Sequence, residues 1–230
     1  MGRFFETHFH TAEVSPCGKV PAAEGVHRYH AAGYDGIVVT DHYTEGFFGG
    51  LPEESSWRDK LDRYLAGWRT AREAGEALGM TVLLGMELRF AGSFNDYLVY
   101  GVTPGLLEEY PALYTLSPER FSRLAKDNGL WWAQAHPFRP GLTRCPASCL
   151  DGLEVFNGNP RHDSHNDLAA AYAAEHGLTA IAGSDYHEPQ DLSGTGIRFH
   201  AEVDGTPALL EGLRSGAFEV VRGDVLPDIR

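Results

Sequence analysis

Short apolar runs alternate with longer stretches of helical periodicity along this chain. Ile37-Val38-Val39-Thr40, Thr81-Val82-Leu83-Leu84, Tyr97-Leu98-Val99-Tyr100, Leu130-Trp131-Trp132-Ala133, Leu153-Glu154-Val155-Phe156 and Thr179-Ala180-Ile181-Ala182 read as buried strands. A first strand is predicted from Phe4 to Phe9 and a last one through Phe218–Val221. Between them the pattern predicts helices over 22–32, 57–78, Ser117 to Asn128-Gly129, 164–176 and 207–215. Ser117 is an N-cap with Pro118 in the first turn, and Gly33, Gly79, Gly177 and Gly216 stop the other helices. Residues 43–56 and 139–149 read as long loops. Strand–helix alternation at this spacing predicts an α/β fold on a parallel sheet, either barrel or doubly wound. With no internal repeat or linker, residues 1–230 are expected to form a single domain.

The polar residues that close the apolar runs change the picture from fold to chemistry. His8 and His10 end the first run, Asp41-His42 follow Ile37–Thr40, and Glu87 follows Leu83–Met86. His136, Asn157, and the pair Asp185 and His187 follow three later runs. In a parallel barrel all C-terminal strand ends lie on one face, so residues distant in sequence converge. The pairs His8/His10 and Asp185/His187 are spaced i, i+2, which turns both members to the same side of the strand. Mixed imidazole and carboxylate donors suit Zn, Mn or Fe. At least seven candidate ligands are too many for one tetrahedral ion, which predicts two or three divalent metal ions.

Composition narrows the partners. The net charge of −13 opposes general affinity for nucleic-acid backbones, so no long nucleic acid is expected. Surplus carboxylates and 11 histidines agree with a cation-binding site. No run approaches a membrane span, and the first residues lack the pattern of a signal peptide. Three cysteines do not suggest a disulfide framework, and a cytoplasmic location is expected.

Taken in order, His8-Phe9-His10, Val39-Thr40-Asp41-His42, Gly85-Met86-Glu87, Ala135-His136-Pro137, Glu154-Val155-Phe156-Asn157 and Gly183-Ser184-Asp185-Tyr186-His187 resemble the motifs of the PHP (polymerase and histidinol phosphatase) superfamily. The resemblance implies a distorted (β/α)7 TIM-like barrel, a three-metal centre and phosphoester hydrolysis. It implies that His8, His10, Glu87 and Asp185 bind one metal, that Glu87 bridges to a second which also takes His136, and that His42 and His187 bind the third. Asp41 would orient an imidazole from behind. Two positions depart from the family pattern. Where a histidine often follows Glu87 on the next strand, this chain offers Asn95 or Asp96. Where a His or Asp often follows the first histidine pair, it offers Glu13, the preferred candidate, or Cys17. Cys145 and Cys149 read as loop cysteines.

The mechanism so implied is attack on a phosphomonoester by a metal-bridged hydroxide. Arg89, Arg139 and Arg161, whose planar forks match phosphate oxygens, would stabilise the developing charge. His165 and Tyr43 are further candidates for contact with substrate or leaving group. The expected partner is therefore a small phosphorylated metabolite. Three other readings stand beside this one. An amidohydrolase shares the early His-x-His, but many of its binuclear members use a strand-end lysine, whereas Lys19, Lys60 and Lys126 follow no apolar run. A phosphodiesterase or nuclease acting on short oligonucleotides is a second alternative, and a regulatory module that has lost its metals a third.

Overall fold

The computed structural model describes residues 2–223. In chain order the elements are β1 (Arg3–Phe9), α1 (Ala22–Ala31), β2 (Gly36–Val39), β3 (His42–Tyr43), α2 (Glu45–Gly49), α3 (Trp57–Tyr64), α4 (Ala66–Leu78), β4 (Thr81–Arg89) and β5 (Asp96–Tyr100). There follow α5 (Pro104–Glu109), α6 (Pro118–Asp127), β6 (Trp131–Gln134), β7 (Gly152–Asn157), α7 (Asn166–His176), β8 (Thr179–Gly183), β9 (Gly196–Phe199), α8 (Thr206–Ser215) and β10 (Phe218–Val221). The caps expected from sequence are present. The Ser117 side chain accepts from Arg120 N, and Gly177 and Gly216 end their helices at φ 65° and 66°. The helix expected over 57–78 is two, divided at Leu65. The loop expected over 43–56 contains α2, which the Thr44 hydroxyl caps by accepting from Phe47 N.

The strands form one nearly closed, barrel-like sheet in the order β10-β9-β1-β2-β4-β5-β6-β7-β8, with β3 also on β4. Pairing is parallel through β1, β2 and β4 and again through β6, β7 and β8. It is antiparallel where β5 meets β4 and β6, and at β9 against β1 and β10. The expectation of an all-parallel sheet therefore fails at β5, β9 and β10. A parallel crossover needs about a dozen residues or more. Only residues 90–95 join β4 to β5, and they turn with Gly92 at φ 76°. The reversal sets Asp96, the first residue of β5, opposite Arg89, the last of β4. A strand start thereby joins the strand ends on the functional face.

Adjacent residues serve different layers. Trp131 joins Phe5, Val38, Leu98, Ile181 and Ile197 in one buried cluster, while Trp132 packs with Tyr97, Phe90 and Phe121 in another. The alternation follows from the two-residue period of a strand buried on both faces. The seam between β8 and β1 is closed by backbone bonds from Tyr186 N to His8 O (3.0 Å) and from His10 N to Tyr186 O (3.1 Å). Glu6 reinforces it by accepting from Ser184 N at 3.0 Å and His8 N at 2.7 Å. No helix among the described residues is long and apolar enough to cross a membrane.

Candidate metal centre

Seven of the predicted ligands, His8, His10, His42, Glu87, His136, Asp185 and His187, meet at the ends of β1, β4, β6 and β8 and at the start of β3. Six of them are fully or almost fully buried, and His42 is partly so. Glu87 is their hub. Its Oε1 lies 3.2 Å from both His8 Nε2 and His136 Nε2, and its Oε2 lies 3.4 Å from His10 Nε2 and 2.6 Å from His42 Nδ1. Asp185 Oδ1 stands 3.4 Å from His8 Nε2 and 3.5 Å from His10 Nε2. Donor atoms within 4.8 Å of one another form overlapping sets: His8/His10/Glu87, His8/His136/Asp185, His10/His42/His187 and His42/Glu87/Asp96. His136 and Asp185 are held at positive φ, 29° and 55°, a conformation that costs about 1–3 kcal/mol and persists only where its surroundings enforce it.

The imidazoles are aimed from behind. His8 Nδ1 donates to Glu154 Oε1 at 2.8 Å, and His187 Nδ1 to the Asp185 carbonyl at 2.9 Å. His10 Nδ1 donates to Ser15 Oγ at 3.2 Å, and that hydroxyl donates onward to Asp41 Oδ1 at 2.7 Å. These bonds place the proton on Nδ1 and leave the Nε2 lone pair of each ring for the centre. Asp41 therefore acts through Ser15 rather than on an imidazole directly. It also accepts from Thr11 N and Thr11 Oγ1, which fixes the loop after β1.

The residues fit divalent cations. His8 Nε2, His10 Nε2, His42 Nδ1, His136 Nδ1 and Glu87 Oε2 are buried with no hydrogen-bond partner among the described residues. Orphaned buried polar atoms are rare, and five in one cluster call for a missing partner. Burial opposes charge on Glu87 and Asp185, yet the surrounding imidazoles, joined at Asp185 by Arg139, hold both carboxyls well below the usual range. Burial also opposes a proton on His8, but the carboxylates of Asp185, Glu154 and Glu87 outweigh it and push that imidazole well above its usual range. The geometry attracts positive charge at the point where those carboxylates face His8.

The remaining candidates divide. Asp96 reaches the cluster, but Arg89 engages it through two bonds, Nε to Oδ1 at 2.6 Å and Nη2 to Oδ2 at 2.7 Å. Asn95 instead bonds Thr143, in the loop after β6. Arg139 is at the centre, its Nη2 donating to Asp185 Oδ2 at 2.6 Å and Asn157 Oδ1 at 2.8 Å. Glu13 does not join it: both its oxygens accept from Ala22 N, at 3.1 and 3.0 Å, at the start of α1. A helix N-terminus, with its unpaired N–H groups, outcompetes the cluster for that carboxylate. Arg161 is likewise drawn away. It pairs with Asp191 at 2.9 and 2.7 Å, and Asp191 in turn accepts from His187 N, so Arg161 braces the loop that carries His187. His165 starts α7 with its Nδ1 3.3 Å from exposed Asp163, and Tyr43 is buried in the apolar core.

Two functional carboxylates escaped the sequence reading. Glu6 lies on the same face of β1 as His8 and His10, and burial pushes its carboxyl up to about 7. Glu154 sits inside an apolar strand and joins His8 Nδ1 to His136 N, which it accepts at 2.8 Å through its second oxygen. Their signal was a carboxylate within a strand otherwise buried, a position rarely tolerated unless the charge is paired. Glu154→Gln is expected to lower metal affinity about 10–100-fold with little change in secondary structure. Metal titration followed by calorimetry checks this, and an unaltered affinity would reduce Glu154 to a packing role.

Beside the centre opens a cleft of about 470 Å³ lined by Arg89, Asp96, His136, Arg139 and Phe94, among others. Phe94, 76% exposed, stands on its rim.

Residues 163–218 match a family model described as PHP-associated. Among solved structures, a two-domain protein from Bacteroides vulgatus containing a predicted PHP-like metal-dependent phosphoesterase superposes with a TM-score of 0.68 at 19% identity. The match covers 98% of this chain and 66% of that one, so the chain spans just under two thirds of the other's length. PsfC from Pseudomonas syringae gives 0.71 at 19% identity, covering 100% and 95%. The lesion-specific endonuclease PfuEndoQ from Pyrococcus furiosus gives 0.61 at 15% identity, covering 96% and 58%. No curated protein matches the chain in sequence. The fold is thus the PHP-type, TIM-like barrel.

Proposed function

The PHP-type fold and the match over residues 163–218 support membership of the PHP superfamily, and from that premise we propose a metal-dependent phosphoesterase that hydrolyses a small phosphorylated metabolite, acting as a phosphomonoesterase. The observation that carries this reading is the set of orphaned buried donors around Glu87, placed directly beside a cleft that presents Arg89 and Arg139. Two or three divalent ions, Zn, Mn or Fe, would be held by His8, His10, Glu87 and Asp185, by Glu87 with His136, and by His42 with His187. Such ions supply Lewis-acid stabilisation of phosphoryl oxygens and make water acidic enough to deprotonate near neutral pH.

The chain's own groups supply position and charge. Arg139, anchored by Asp185, Asn157 and Ser164, presents the rest of its fork at the cleft side of the cluster. Arg89 is aligned by Asp96 on the opposite wall. Two fixed guanidinium groups suit the terminal oxygens of a monoester, which carries more charge than a diester. Glu154 and Ser15 hold the tautomers of His8 and His10, so those rings need not reorganise as charge develops. The net charge of −13 disfavours a long polyanion as substrate. The lysines do not serve the centre: Lys19 pairs with Glu188 at the surface, Lys60 lies half-buried on α3, and Lys126 is exposed on α6.

The test is phosphate release by protein stripped with chelator and resupplied with Mn or Zn, across p-nitrophenyl phosphate and a panel of amino-alcohol, sugar and nucleotide phosphates. Metal-dependent release from a monoester is expected. Turnover confined to bis(p-nitrophenyl) phosphate would make it a diesterase, and hydrolysis of cyclic amides alone would overturn the phosphoesterase reading.

A further inference from the structure

The end of the centre formed by His10, His42 and His187 carries a fourth side chain of different chemistry. Cys17 Sγ lies 3.1 Å from His42 Nε2, with His187 as its second neighbour. Cys17 is exposed, but the backbone that carries it is held. Gly18 N bonds Ser15 O at 2.9 Å, and Lys19 N bonds His187 O at 2.8 Å, so backbone contacts pin the turn on both sides of Cys17. A side chain at Gly18 would meet Thr11 O at 2.8 Å, which leaves little room for the turn to change course. Independently of the thiol, His10 Nε2 is wholly buried and has no hydrogen-bond partner among the described residues, while the three ring nitrogens lie within 4.8 Å of one another. Glu13, the rival donor in this loop, is committed to α1.

We propose that Cys17 is a metal ligand, its thiolate completing with His42 and His187 a position that takes a thiophilic divalent ion, zinc or ferrous iron, in preference to manganese or magnesium. The proposal rests on the metal-centre reading above and deepens it. Binding exchanges a proton for the ion: the S–H bond breaks, a sulfur–metal bond forms, and the proton passes to solvent. Thiolate softness gives the selectivity, because imidazole and carboxylate alone serve manganese as readily as zinc. The candidate ligands of the other positions, His8, His10, Glu87, Asp185 and His136, include no sulfur, so one centre would hold ions of unequal preference.

Cobalt(II) substitution of the full chain tests this. The wild type is expected to show thiolate-to-cobalt charge-transfer absorption in the near ultraviolet. Cys17→Ala and Cys17→Asp should both lose that band and keep the visible cobalt absorption of the remaining positions, and Cys17→Ala should hold about one equivalent less metal per chain. Cys17→Asp should also shift zinc-over-manganese preference by at least about tenfold toward manganese. In unsubstituted protein, zinc should slow alkylation of Cys17, mapped by mass spectrometry, with Cys149 as the internal reference. Cobalt bound without the near-ultraviolet band, and equal metal content in Cys17→Ala, would overturn the ligand role while leaving the metal centre standing. Failure of the wild type to bind cobalt at all would overturn both.

Discussion

Replacing Glu87 with glutamine is expected to lower metal content and hydrolytic rate together, the rate by on the order of 10³-fold, since the charge stabilisation at stake is several kcal/mol and each ~1.4 kcal/mol is tenfold. The change is nearly isosteric, so packing around Met86 and Leu88 is retained. What is lost is the charge. Glu87 touches four imidazoles, and its second oxygen is buried without a hydrogen bond. An amide in its place brings no negative charge to the cluster, and its N–H₂ would point at lone pairs already aimed inward by Glu154 and Ser15. Elemental analysis of the purified variant, beside kcat/KM for the best substrate found, checks both parts. A variant with full metal content and more than about a tenth of the wild-type rate would remove Glu87 from the hub.

Trp132→Ala is expected to destabilise the fold by about 3–5 kcal/mol without touching the centre directly. Trp132 is 1% exposed, and its ring meets those of Phe121, Tyr97 and Phe90 at centroid distances of 4.9, 5.2 and 6.4 Å. It fills the layer between β6 and α6. In a domain of this size each kcal/mol moves the melting temperature by about 2–4 °C, so a fall of roughly 10 °C is anticipated. Urea unfolding should show a lower midpoint at unchanged slope. Phe94→Ala is the control: at 76% exposure it should change stability by less than about 0.5 kcal/mol. Equal effects of the two substitutions would contradict this account of the core.

Much of the cluster was legible because most of its candidate ligands follow apolar runs, and parallel strands gather such ends on one face. The caps at Ser117, Gly177 and Gly216 were legible for a different reason: a helix end leaves unpaired backbone groups within reach of one local residue. What escaped depended on competition between distant partners. Glu13 and Cys17 both follow the first histidine pair, and only the placement of α1 shows that a backbone N–H claims Glu13. Arg161 looked as apt for phosphate as Arg139 until Asp191, thirty residues on, took its fork. The reversed β5 was hidden because an apolar run carries no direction. The short connection at 90–95 was the available clue, and it also explains why Asp96 arrives at the centre from the beginning of its strand.

The seam between β8 and β1 sets a timetable for biosynthesis. β1 and its partner β2 are close in sequence, but 178 residues separate Glu6 from Ser184, its partner across the seam. At translation rates of about 5–20 residues per second, the other edge of β1 waits on the order of 10–40 s for β8 and β9. Through that interval the nascent chain presents an unpaired strand bearing Phe4, Phe5 and Phe9, a template for adhesion to other chains. His8, His10, His42 and Glu87 are made long before Asp185 and His187, so a cation captured early would meet an incomplete set of donors. Assembly of the full donor set therefore waits for the segment around β8, where Asp185, His187 and the last contacts to β1 arrive on the same stretch of chain.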